Sequence, residues 1–228
     1  DFVIYTEAYD TEIFNYIVDI AAGHIIASTI LCRDYSKFQG KLNNLNIYLD
    51  TGIILNLIGY DGNNKTFAYE ELITSLNEQK ANLFIFQHTF DEVLVILSGC
   101  LEWINNPYYD PSKANPVLIH FYEQGYSKSD IELKIQNLEK DLGNHGIRVF
   151  QLSPQPLINE KDLMSLIISL YKEKDPYFDE IGKDNTIYRD VKSISYIYQL
   201  RNGQRPVGIR SAKFIFLNNP LDIPKSVN

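Results

Sequence analysis

Carboxylates and their amides recur in this chain just beyond short apolar runs. Asp50 follows Asn46-Ile-Tyr-Leu49, and Asp91 and Glu92 lie a few residues past Leu83-Phe-Ile-Phe86. Asp190 begins the helix before a last run, Lys213-Phe-Ile-Phe-Leu217, and Asn218 and Asn219 follow that run. Open α/β sheets bind their ligands beyond the carboxyl ends of the strands. Hard divalent cations take several oxygen ligands and keep positions open for water and phosphate. Such a cation lowers the pKa of a bound water and steadies the charge on a phosphoryl oxygen. Each acid also has a plain structural reading. Asp50 caps the residues after it, Thr89 with Glu92 makes a capping box, and Asp190 favours a helix N-terminus. The chemical reading rests on their joint placement. No serine, histidine and acid combination suits a triad, and no glycine-rich phosphate loop is present.

The elements that must hold these residues are legible from periodicity. Asp10 is the N-cap of a helix over 11–32, whose apolar face includes Ile13, Ile17, Ile20, Ile25 and Leu31, and a polar connection covers 35–44. Strands are expected at 46–49, 83–86, 147–152 and 213–217, and helices at 67–80, 90–105, 130–143, 160–173 and 188–201. Ser129 with Glu132 reads as the capping box of the 130–143 helix. Three prolines and three asparagines in 105–116 mark a loop. Four apolar strands separated by helices give an α/β protein with a parallel central sheet flanked by helices. The expected division is an N-terminal helical arm over 1–44 and a domain over 45–228 with a helical insertion at about 105–145.

Composition narrows the classes. The chain has 228 residues, 45% apolar and 22% charged, enough to bury a sizeable core. A net charge of −8 argues against a protein that coats nucleic acid or an anionic membrane by bulk electrostatics. Cys32 and Cys100 have neither C-x-x-C spacing nor a zinc-spaced histidine, so a disulfide framework and a structural zinc are not expected, and a reducing, cytoplasmic setting is. The most apolar stretch, 13–31, carries Asp19 and His24 and is too polar for a membrane span.

Tyr48-Leu-Asp-Thr-Gly-Ile-Ile-Leu-Asn-Leu-Ile58 resembles the opening motif of PIN-domain nucleases, a strand ending in Asp, then Thr or Ser, then a hydrophobic helix start. Phe84-Ile-Phe-Gln-His-Thr-Phe-Asp-Glu92 is similar to the family's second strand with its glutamate. Arg189-Asp-Val-Lys-Ser-Ile194 resembles the third acidic motif, and Ala212-Lys-Phe-Ile-Phe-Leu-Asn-Asn219 the fourth-strand motif. The match runs in family order over about 45–220, and its final strand and helix are missing, so a domain truncated at its C-terminus is expected. The resemblance implies a metal-dependent endonuclease, of RNA before DNA. It implies Asp50, Glu92 and Asp190 as ligands of Mg²⁺ or Mn²⁺ and Asn219 in the fourth catalytic position, with Asn218 a close second. Thr51 would orient Asp50 or a bound water, and Arg189, Lys192 and Arg201 would hold backbone phosphates.

Other readings are weaker or narrower. Leu49-Asp-Thr-Gly52 spells the aspartic-protease signature, but that mechanism needs a second such aspartate beside the first, and no second copy exists. A two-aspartate phosphatase needs an acid where Gly52 stands. His88 and His120 read as exposed or core histidines. An amide at Asn219 motivates a second reading, a PIN-like module without catalysis that binds RNA or a protein partner. Charge is uneven along the chain. Residues 189–213 carry Arg189, Lys192, Arg201, Arg205, Arg210 and Lys213 against Asp190, a local +5.

Overall fold

The computed structural model describes residues 42–43, 45–60, 63–108, 110, 114–153, 160–174, 184–206 and 212–218. The chain falls into two units, residues 1–42 and 43–228. The expected helix over 11–32 lies outside the described residues, as does the polar connection over 35–44 apart from residues 42 and 43.

The second unit is built on four parallel strands: β1 (Asn46–Leu49), β2 (Asn82–Phe86), β3 (Ile147–Phe150) and β4 (Phe214–Leu217). Their order is β3-β2-β1-β4. Tyr48 pairs with Phe84 and Phe216, and Phe86 pairs with Phe150. Parallel strands buried on both faces read as continuous apolar runs, which is why periodicity found them. Alternation then sorts the side chains. One face carries Tyr48, Phe84, Phe86, Phe150, Phe214 and Phe216, packed on Tyr196, Ile197 and Leu200. The opposite parity is aliphatic: Ile47, Leu49, Leu83, Ile85 and Ile147 are all buried. Tyr48 stacks on Phe86 at 4.4 Å between centroids.

The described helices are α1 (Thr51–Leu57), α2 (Asn63–Glu78), α3 (Gln87–Trp103), α4 (Pro116–Glu123), α5 (Lys128–Asn144), α6 (Glu160–Lys174) and α7 (Asp184–Leu200). The parallel sheet flanked by helices is therefore as the sequence implies. No described helix is long and apolar enough to cross a membrane.

Several boundaries differ from expectation, each for a local reason. α3 starts at Gln87, directly after β2 with Phe86 as N-cap, so Thr89 lies inside the first turn and forms no capping box. The box at the start of α5 is Ser127 with Asp130, two residues before the pair the sequence suggested. Ser127 N donates to Asp130 Oδ2 at 2.9 Å, and this side-chain and backbone bonding holds the exposed Asp130 carboxyl below its usual range. α4 falls where the loop was expected to end. Asn115 is its N-cap, accepting from Leu118 N at 2.8 Å, and Pro116 follows. A proline at the first helical position starts a helix rather than breaking one. α7 begins at Asp184, earlier than expected, so Asp190 sits in its second turn rather than at its start.

Candidate active site

β1 runs into α1 with no intervening loop. Asp50 is the N-cap in extended conformation, its N–H donates to Leu217 O at 3.0 Å, and its side chain makes no capping hydrogen bond. The capping reading of the Asp50 carboxylate therefore fails. The ladder between β1 and β4 ends with Leu49 opposite Leu217, so Asp50 and Asn218 leave the sheet side by side. Asn219 lies outside the described residues.

Glu92 lies on α3, just past its first turn. Its Oε2 accepts from the Thr51 hydroxyl at 2.6 Å, and its Oε1 pairs with Arg189 Nη1 at 2.5 Å. The two side chains of this ion pair are 17% and 31% exposed, Glu92 being the more enclosed. Three segments that the sequence nominated are thus linked at the carboxyl rim of the sheet, through Thr51, Glu92 and Arg189. The partners are not those expected. Thr51 donates to Glu92 rather than to Asp50, and the Arg189 guanidinium, expected to hold backbone phosphates, pairs with Glu92.

Asp190 is the next residue after Arg189, and successive helical residues point about 100° apart. Its Oδ2 accepts from the Tyr171 hydroxyl at 2.8 Å, on the neighbouring α6. α6 and α7 meet through Ile167, Ile187 and Val191, which sets that contact. Among the described residues no group of three or more His, Cys, Asp or Glu side chains is gathered as a cation site. The donor set suits a hard divalent cation in kind. In arrangement it stops short, because a guanidinium already stands on Glu92 and Asp190 is engaged by Tyr171.

The other nominated residues have distinct places. Asp91 is exposed and accepts from Gln87 Nε2 at 2.9 Å. The Lys192 ammonium sits 5.9 Å from the Tyr196 ring centroid. Arg201 is at the far end of α7, where its Nε and Nη2 donate to Phe214 O at 3.0 and 2.7 Å. It therefore braces the start of β4, the end of the strand opposite Asn218.

A second polar pair lies close by in the fold. His88 Nε2 and Ser193 Oγ are hydrogen-bonded at 2.8 Å, with the imidazole stacked on Phe86 and edge-on to Tyr196. Burial first, then Lys192, push the His88 pKa down to about 4, with Asp91 opposing them and Arg189 adding the smallest push in the same direction. Ser193 is only 3% exposed and closed to a substrate, and among the described residues the buried His88 Nδ1 has no hydrogen-bonding group to orient the ring as a base. This is a packed core histidine, one of the two readings its sequence context gave. His120 lies on α4 against Phe121 and Tyr126. Sequence reasoning missed the Thr51–Glu92 and Arg189–Glu92 contacts. The signal was the type of each residue, hydroxyl and guanidinium beside nominated acids, but direction on the helix decided the partner.

Comparison with family models, with curated proteins and with solved structures gave no match.

Proposed function

We propose that this chain is a PIN-like endonuclease that hydrolyses phosphodiester bonds, in RNA before DNA, at the carboxyl rim of its sheet. The observation that carries the reading is the junction of Thr51, Glu92 and Arg189, which draws the second and third motif segments to the strand end where Asp50 and Asn218 emerge. Asp50 and Glu92, with Asp190 as third, are the residues that would hold Mg²⁺ or Mn²⁺. The cation's contribution is to lower the pKa of water and to offset charge on the phosphoryl oxygens. Thr51 fixes the rotamer of Glu92 through its hydroxyl. Arg189 pairs with the enclosed Glu92, and Mg²⁺ or Mn²⁺ held there would share that carboxylate with the guanidinium.

One observation favours a second reading. The Arg189–Glu92 pair and the separate engagement of Asp190 are what a module without catalysis, binding RNA or a protein, would retain. Incubation of single-stranded RNA and DNA with Mn²⁺, with and without EDTA, separates the two. The nuclease reading predicts cleavage of RNA that EDTA abolishes. RNA binding without cleavage, unchanged by EDTA, supports the second reading, and cleavage indifferent to EDTA refutes the metal assignment.

A further inference from the structure

The basic stretch of the chain meets the sheet at the end opposite the carboxylates. A cleft of about 530 Å³ opens between the end of α7 and the start of β4, lined among others by Arg201, Asn202, Gln204, Arg205, Lys213 and Phe214. Among the described lining residues three carry cationic side chains and none is acidic. Among the described residues none of the three has a carboxylate partner. Arg201 is half-buried, and a charge withdrawn from water without a counter-ion is costly. Its bonds to Phe214 O use two N–H groups, which leaves three of the five a guanidinium carries.

The backbone lessens the obvious objection, that a helix C-terminus repels anions. Asn202 and Gly203 both adopt left-handed conformations, at φ 49° and 75°. The reversal lets Gly203 N donate to Tyr198 O at 2.9 Å and Gln204 N to Arg201 O at 3.0 Å, so two carbonyls at this helix end are already bonded. The side-chain amides of Asn202 and Gln204 add neutral donors. The cleft is in the size range of small-molecule sites, with Leu200, Pro206 and Phe214 as apolar wall. That is room for a phosphate with the organic group it esterifies.

We infer that this cleft binds phosphate oxyanions through Arg201, Arg205 and Lys213, as a site separate from the carboxyl rim. Lys213 and Asn218 are five residues apart along an extended strand, about 17 Å at the usual rise. The site therefore anchors and does not react. It stands whether or not the rim cleaves. The phosphate can come from a free monoester or from a nucleic-acid backbone, and the test tells these apart.

Binding of uridine monophosphate and of a fluorescein-labelled oligouridylate is measured in EDTA, so that cleavage at the rim plays no part. Arg201 also braces β4, so the variant is Arg205→Glu with Lys213→Glu, both exposed, and Arg205→Gln with Lys213→Gln is a milder second. The expected result is oligouridylate binding weakened about tenfold or more, with the salt slope reduced by about two and the melting temperature unchanged. A monophosphate that binds as tightly as the oligomer and is lost equally in the variant supports the site with a free monoester as ligand. Equal binding of both probes by wild type and both variants, or no binding by wild type, overturns the inference.

Discussion

The Thr51 hydroxyl donates to Glu92 Oε2 at 2.6 Å, so the first residue of α1 and an acid on α3 act as one unit. Thr51 is buried, and a hydrogen bond to a charged group contributes about 1.5–3 kcal/mol. Thr51→Val keeps the shape and removes the donor. It should lower stability by an amount in that range, read from urea unfolding midpoints, while Thr51→Ser restores most of it. A Thr51→Val midpoint equal to wild type would show that Glu92 does not depend on this bond.

Arg189 and Glu92 are neither fully exposed nor fully buried, which puts their pair between the surface and interior cases. Arg189→Gln should cost about 1–2 kcal/mol of stability, less than breaking a fully buried pair. The same variant should bind Mn²⁺ more tightly in calorimetry, because the guanidinium no longer competes for Glu92. Unchanged Mn²⁺ affinity would mean that Arg189 and the metal do not share that carboxylate.

His88 gives a pH dependence with a definite sign. Its folded pKa of about 4 lies below the ordinary 6.5, with Lys192, Arg189 and Asp91 the charged groups that act on it. Between those values the unfolded chain binds more protons, so stability rises with pH across the window. The contribution is complete above about pH 6.5 and is lost as pH falls toward 4. His88→Phe, which keeps a ring beside Phe86, should flatten unfolding free energy against pH in that window. An equally steep curve in the variant would assign the slope to other groups.

Arg201 spans the gap between α7 and β4 with a planar fork, and a lysine has one ammonium where that fork has two donors aimed at one carbonyl. Arg201→Lys should therefore lose about 1–2 kcal/mol, measured by denaturant unfolding, despite keeping the charge. Full retention of stability by the lysine variant would show that charge alone matters there.

Much of the fold was legible because apolar parallel strands announce themselves. Leu83-Phe-Ile-Phe86 and Phe214-Ile-Phe-Leu217 are apolar on both faces, and a short run of that kind between helical patterns has few alternatives. Capping was less legible. Ser127 and Ser129 both precede an acid by three residues, and only the backbone decides which one turns the chain. Pro116 reads equally as loop punctuation and as a first helical residue. The candidate site was legible as a set of segments and not as contacts. Asp50 and Asn218 emerge together because strand register puts them there, and register follows from the apolar pattern. The partners of Glu92 and Asp190 depend on which way adjacent residues of α7 point, a difference of about 100° that residue spacing relative to strands does not encode.

The central claim is that Asp50 serves phosphodiester hydrolysis. The most direct measurement is the single-turnover rate of RNA cleavage in Mn²⁺ by wild type and by Asp50→Asn prepared side by side. A fall of about a hundredfold or more is expected, equivalent to about 3 kcal/mol of barrier, with RNA binding retained. Equal rates in the two proteins, or no cleavage by wild type, would contradict it.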